Sequence, residues 1–238
     1  MQGGLFAGAV ALVVGVASPG ALVAGSVSGQ VVFDGPLPAA FPVKVSKDQD
    51  YCGETLVNDA YVIEPGGGLK NVVVFVETAP VGEPNPQREN VLDNTGCRYV
   101  PRVLALRRGE TLKVRNNDPK LHIPHAYLGE RTIFTLSLPF KGTTIDASSR
   151  IRQAGIVKVV CDTHAWMLAY IHVFDHPYFA VTDEQGRFTI TGLAPGVYTL
   201  RAWHEAAGVR SRTIWVAPDG AARADFVFGR ELEPSNPD

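Results

Sequence analysis

The apolar stretches of this 238-residue chain are short, breaking after a few residues at Gly, Pro, Asn or Asp. An amphipathic helix needs an apolar period of 3.6 sustained over ten or more positions, whereas a half-buried strand needs only alternation over a handful. Segments such as Gly155-Ile-Val-Lys-Val-Val-Cys161 and Arg187-Phe-Thr-Ile190 alternate in this way. The 24 glycines and 17 prolines supply the turns between them. The chain is therefore expected to be all-β, with length for one large or two modest domains and a sizeable core.

The first stretch, 1–24, carries no charged side chain and is rich in Ala, Val, Leu and Gly. It reads as a signal peptide cleaved near Ala24, or as an N-terminal anchor, although the usual Lys or Arg ahead of the apolar run is missing. Either reading places the rest of the chain in the periplasm or outside the cell. No second apolar run of that length occurs, so no membrane span is expected beyond the N-terminus. The net charge of -2 offers no basic footprint, which disfavours nucleic acid and acidic lipid as partners.

An exported chain meets an oxidising compartment, where two of its three cysteines are expected to pair. Cys52 lies in a Tyr-Cys-Gly turn and Cys97 in an Asn-Thr-Gly-Cys turn, both in polar, loop-like surroundings. Cys161 ends a strand whose alternation puts Val157, Val159 and Cys161 on one face and Lys158 on the other. The simplest assignment is a Cys52–Cys97 disulfide with Cys161 free and facing inward.

A free inward cysteine is often no more than a small buried hydrophobe. The residues just after Cys161 argue otherwise, because Cys161-Asp-Thr-His164-Ala-Trp-Met167 places a thiolate, an imidazole and a thioether within seven residues. Soft sulfur with imidazole is the donor set that selects copper in a trigonal site with a weak axial Met. Upstream, Asn116-Asn-Asp-Pro119 turns the chain ahead of His122 and His125. Three apart in an extended segment, with Pro124 between them, these two point to opposite faces unless the chain turns. One ligand and one surface or outer imidazole is the economical reading. Trp166 reads as packing or as an apolar rim to such a site.

This order of strand, Asn-Asn-Asp-Pro, His, some forty residues, then Cys-x-x-His and a nearby Met resembles the cupredoxins, the blue-copper Greek-key β-sandwich proteins. The resemblance covers about residues 61–175. Carried over by position, it picks His122, Cys161, His164 and Met167 as copper ligands. Only Ala165 and Trp166 separate His164 from Met167, fewer residues than the family's usual loop, and the second loop cysteine of a binuclear centre is absent. The fourth position is therefore open to Met167, His125, a carboxylate or water, and His125 there would make a harder, more open site.

After His176 the pattern becomes strand, Gly turn, strand, Pro-Gly turn, strand. Thr182-Asp183, Gly186-Arg187-Phe188, Gly192-Leu193, Pro195-Gly196 and Tyr198 resemble the carboxypeptidase regulatory-like domain, a smaller transthyretin-like β-sandwich. Residues 176–238 are few for an independent core. Gly25-Ser-Val-Ser-Gly-Gln-Val-Val-Phe33 looks like the opening strand of such a domain, so 25–60 is expected to complete it around an inserted copper domain. His172, on a face with Tyr170, Phe174 and His176, reads as an outer face or a domain contact. His204 reads as a structural residue pairing with Glu205, although a place at the domain boundary would bring it near the metal loop. Arg107-Arg108 and Arg150-x-Arg152 read as solvated charges.

The resemblances imply an exported mononuclear copper protein that passes electrons through a type 1-like site to a redox protein partner in the cell envelope, not an enzyme. Copper storage or delivery, a red-type open site, and a structural subunit of an envelope complex with no functional metal are the alternatives. A hydrolase is disfavoured, for there is neither a Gly-x-Ser-x-Gly elbow nor a His-Glu-x-x-His pair.

Overall fold

The computed structural model describes residues 24–36, 42–79, 88–218 and 220–229. Nearly all of the expected 1–24 leader lies outside them. Strands dominate, and they form two β-sandwiches, each around its own apolar core. No helix among the described residues is long and apolar enough to cross a membrane.

In the first sandwich, one sheet runs in the order Arg131–Thr135, Pro124–Leu128, Gly155–Cys161, Leu168–Phe174, Val103–Arg107. The facing sheet runs Thr144–Asp146, Thr111–Asn116, Glu89–Asn94, Tyr99–Val100. Alternation decides which side chains enter the core. Val157, Val159 and Cys161 point inward while Lys158 is exposed, and Leu112, Val114 and Asn116 are the buried set of their strand. The apolar ones and Cys161 meet Leu92, Leu106, Ala126, Phe134 and Ile171 in one cluster.

The second sandwich gives the short C-terminal module a core it shares with the first described strand. Gly25–Phe33 pairs antiparallel with Arg187–Leu193 and parallel with Ala221–Arg223 and Phe226–Phe228. The facing sheet runs Phe179–Val181, Val73–Val76, Gly196–His204, Gly208–Val216. Val27, Val31, Val74, Val76, Ile190 and Phe228 share its core. At Gly29 the strands approach so closely that an added Cβ would lie 1.7 Å from the Ala224 carbonyl oxygen.

Two boundaries differ from the sequence reading. Val73–Val76, expected with segment 61–175, is a strand of the second sandwich, because its backbone pairs with Phe179–Val181 on one side and Gly196–His204 on the other. Val74 and Val76 enter that core. Val73 meets Val103, Ala105, Phe174 and Trp203 in the cluster joining the two sandwiches. Within 25–60, the hairpin Val43–Lys44/Thr55–Leu56 and the one-turn helix Gln49–Cys52 leave the second sandwich and form a flap on the first. Cys52 pairs with Cys97, Cα to Cα 5.7 Å, and Cys161 is free and buried. The paired cysteines sit with Val45, Leu56 and Trp166 in a small apolar cluster, not in the polar surroundings expected.

His172 lies in the contact between sandwiches, its ring 4.4 Å from that of Trp203. His204 does not pair with Glu205, which instead binds Arg102, while His204 Nδ1 accepts the Ala206 and Ala207 N–H groups. Arg108 is a solvated surface charge as expected, paired with Asp175, whereas Arg107 is largely covered and pairs with the buried Glu110.

Candidate metal centre

Cys161 is delivered to one end of the first sandwich by the strand Gly155–Cys161, whose neighbour Pro124–Leu128 sets Cys161 opposite Pro124. His122, two residues before Pro124, is fixed by a backbone bridge to Leu138, with N–H and C=O both engaged. The Ile123 N–H reaches the Cys161 sulfur at 3.4 Å. After Cys161 the chain rolls through two tight turns. The His164 N–H donates to the Cys161 carbonyl at 3.3 Å, and the Met167 N–H donates to the His164 carbonyl at 2.9 Å. These turns fold His164 back beside Cys161 and leave Met167 buried in the same apolar cluster as Cys161.

His122, Cys161 and His164 converge, all three buried. His122 Nδ1 lies 3.1 Å from His164 Nδ1, and the Cys161 Sγ lies 3.9 and 3.8 Å from them. A point equidistant from the three atoms is about 2.1 Å from each, within the ~2.0–2.3 Å over which a transition metal binds imidazole nitrogen and thiolate. The donor set therefore fits a mononuclear metal, which His122, Cys161 and His164 would hold.

Both outer nitrogens face carboxylates. His122 Nε2 is 3.1 Å from Asp118 Oδ2, and His164 Nε2 is 3.0 Å from Asp48 Oδ2. An ionised carboxylate only accepts, so each Nε2 carries its proton and each Nδ1 lone pair points into the gap. Two such lone pairs 3.1 Å apart repel unless a proton or a metal ion lies between them. Outer carboxylates of this kind also orient an imidazole and raise its basicity toward a metal.

Asp118 is the hub of this arrangement. Fully buried, it accepts from His122, from the Gly96 and Cys97 N–H groups at 2.7 and 2.8 Å, and from the Tyr51 hydroxyl at 2.9 Å. Gly96 and Cys97 both adopt positive φ, 61° and 57°, which turns their successive N–H groups toward one anion. Asn116 braces the turn from behind, its side-chain amide donating to the Lys120 and Leu138 carbonyls and its oxygen accepting the Asp118 N–H. Burial pushes the Asp118 carboxyl up, but its four hydrogen bonds outweigh that and hold it below the usual aspartate range.

The same balance operates on the sulfur. Burial raises the Cys161 thiol, yet His122, His164, Thr163 and the Ile123 N–H outweigh burial and hold it down at about 5. Burial lowers His122, but Asp118 and Cys161 carry it up to about 8. Each of the two groups thus favours the charged form of the other, and a metal would take the place of the proton they share.

His125 is not brought to this centre. On the strand Pro124–Leu128 it faces the other way, its ring stacked on Tyr127 at 4.1 Å and hydrogen-bonded to Asp162, Tyr127 and Thr132. Trp166 is half-buried, its ring 5.0 Å from that of His164 and its Nε1–H donating to the Cys97 carbonyl. Sequence reasoning missed Asp48 and Asp118. Asp118 left a trace, since it stands in the Asn-Asn-Asp-Pro turn four residues before His122. Asp48 left none, because it reaches His164 from 116 residues away.

No protein-family model matches this chain, and no curated protein does. Among solved structures it is similar to a Cu-containing nitrite reductase from Thermus scotoductus SA-01, at TM-score 0.33 and 18% identity, over 41% of this chain and 25% of that one. It is similar to the reduced state of an amicyanin mutant, at TM-score 0.33 and 17% identity, over 42% of this chain and 98% of that one. It is also similar to a purple cupredoxin from Nitrosopumilus maritimus, at TM-score 0.31 and 22% identity, over 36% and 98%. The matched region thus spans a quarter of the nitrite reductase chain. Likenesses this slight carry no weight in reading the centre, which stands on its own geometry.

Proposed function

We propose that this protein is an exported mononuclear copper protein that transfers electrons through a centre of His122, Cys161 and His164, with Met167 as the weak fourth ligand. The observation that carries the reading is the convergence of two Nδ1 atoms and one depressed-pKa sulfur about a single point. Two imidazoles and one thiolate are a donor set suited to copper in a trigonal site. Copper bound there would supply a one-electron couple. The chain's own residues supply a fixed geometry. Asp118 and Asp48 hold the imidazole protons outward, Ile123 and Thr163 hydrogen-bond the sulfur, and the flap keeps His164 from water. Little needs to move when the charge changes. The outward turn of His125 removes the donor that an open, small-ligand site would use. Trp166, half-exposed beside His164, is the way out toward a redox protein partner in the cell envelope.

A buried disulfide supports an oxidising compartment, periplasmic or extracellular. The pairing of Gly25–Phe33 with Arg187–Leu193 supports a second domain of the carboxypeptidase regulatory-like kind, built from both ends of the chain, with the copper domain inserted. Copper loading of the full protein, followed by absorption and paramagnetic-resonance spectroscopy, tests the function. An intense visible thiolate-to-copper band, lost in Cys161→Ser, is the expected result. A fully loaded but colourless protein would refute it.

A further inference from the structure

We infer that Asp48 is a positioning residue of the metal centre: carried on the flap stapled by Cys52–Cys97, it fixes the His164 proton on Nε2 and so presents Nδ1 to the metal. This rests on the copper reading above for its redox consequence, though not for its effect on the imidazole.

The flap is built to place this one carboxylate. Asp48 adopts φ 54° and ψ 36°, a left-handed turn from which the helix Gln49–Cys52 starts. Its own carbonyl accepts the Tyr51 and Cys52 N–H groups at 3.0 and 2.8 Å. The helix ends at Cys52, and the disulfide anchors it to the Cys97 turn. Asp48 is thus held at one end of a single turn whose other end is covalently fixed. Lys120, from the turn preceding His122, braces it across the gap, 3.5 Å from Asp48 and 2.6 Å from Asp50. Tyr51 on the same turn donates to Asp118, so one short segment reaches the outer side of both imidazoles. His164 is fully buried beneath it.

A carboxylate on the outer nitrogen strengthens the Nδ1 donor and adds a negative charge near the metal. Both effects favour the more highly charged oxidation state. Asp48 therefore stabilises Cu(II) over Cu(I) and lowers the reduction potential. Removing such an outer partner costs about 10–100-fold in metal affinity, and here the loss falls mainly on Cu(II).

The test compares full-length wild type, Asp48→Ala and Asp48→Glu. In the metal-free proteins, nitrogen-15 NMR of the imidazoles reads the His164 tautomer; wild type should be protonated at Nε2, Asp48→Ala should be mixed, and Asp48→Glu should return toward wild type. In the copper-loaded proteins, Asp48→Ala should show a more positive potential and about 10–100-fold weaker Cu(II) binding, with Cu(I) binding changed less. Asp48→Leu, which removes the acceptor while keeping much of the side-chain volume, replaces the alanine variant if that one does not fold. An unchanged tautomer in Asp48→Ala overturns the inference, as does an unchanged potential. If wild type binds neither Cu(I) nor Cu(II), the copper reading fails and the tautomer measurement alone decides the role of Asp48.

Discussion

Replacing Asp118 by alanine should destabilise the metal-free protein by about 3 kcal/mol, the low end of the ~3–5 kcal/mol lost when one partner of a buried ion pair is removed. Four donors lose their acceptor: His122 Nε2, the Gly96 and Cys97 N–H groups, and the Tyr51 hydroxyl. They are not equal. Gly96 is exposed and Tyr51 is 43% exposed, so both can turn to water. Cys97 and His122 are fully buried, and each stranded donor costs about 1–3 kcal/mol. Part of this is offset because the variant no longer buries a carboxylate. The assay is urea unfolding of metal-free protein with the disulfide intact, followed by tryptophan fluorescence. The pH dependence carries a sign. Asp118 is held below its ordinary 3.8, so its contribution is fully present above that value and is lost as pH falls through the folded pKa. The gap between wild type and variant should therefore close in acid, and should also narrow as pH rises from 6.5 through about 8, where His122, which Asp118 helps hold up, loses its proton. A loss under about 1 kcal/mol at pH 7, less than one stranded buried donor costs, would refute the hub, as would a gap indifferent to pH.

Burial holds His172 neutral, with its pKa down at about 3 against an ordinary 6.5. The unfolded chain takes up this proton first as pH falls, so stability should drop by about 1.4 kcal/mol per pH unit from this residue between those values. Urea midpoints from pH 7 to 4 should slope less in His172→Phe than in wild type, and equal slopes would count against the assignment. Removing the disulfide with Cys52→Ala and Cys97→Ala frees a loop of 45 residues and should cost about 4 kcal/mol by chain entropy, measurable as a lowered urea midpoint. The same double variant should let His164 exchange its ring proton faster, because the flap that covers it is no longer anchored.

Much of the centre was legible because its parts are local. Alternation along Gly155–Cys161 turned Cys161 inward, and the Cys-x-x-His spacing matches two consecutive tight turns. The disulfide could be assigned by elimination, since Cys161 was already claimed by a strand face. What escaped was long-range. Nothing near Asp48 announces an imidazole, for its partner arrives only when a disulfide folds the flap down. Val73–Val76 escaped for a related reason. An apolar run with both faces buried carries no alternation to say which sheet it joins, and only its neighbours Phe179–Val181 and Gly196–His204 decide that. His125 could be turned away from the site only once the register with Val160 and Thr135 was known.

The pairing of Gly25–Phe33 with strands from the far end of the chain has a consequence in time. Gln30 must wait for Asp225, 195 residues later, before its N–H finds its acceptor. At ordinary rates of synthesis that delay is on the order of ten seconds or more. Even after Arg187–Leu193 has arrived to cover one side, the strand's other edge stays open, of the kind that pairs with other chains. The first sandwich, by contrast, is complete once residue 174 has emerged, since all its strands lie between 89 and 174. The order of assembly is thus written into the connectivity: the inner sandwich closes first and the outer one is zipped shut around its base by the C-terminus. Truncation near residue 217 should leave the inner sandwich folded and the first strand still paired with Arg187–Leu193 on one side, but with its other edge stripped of Ala221–Arg223 and Phe226–Phe228, turning a loss at one end of the domain into aggregation driven from the other.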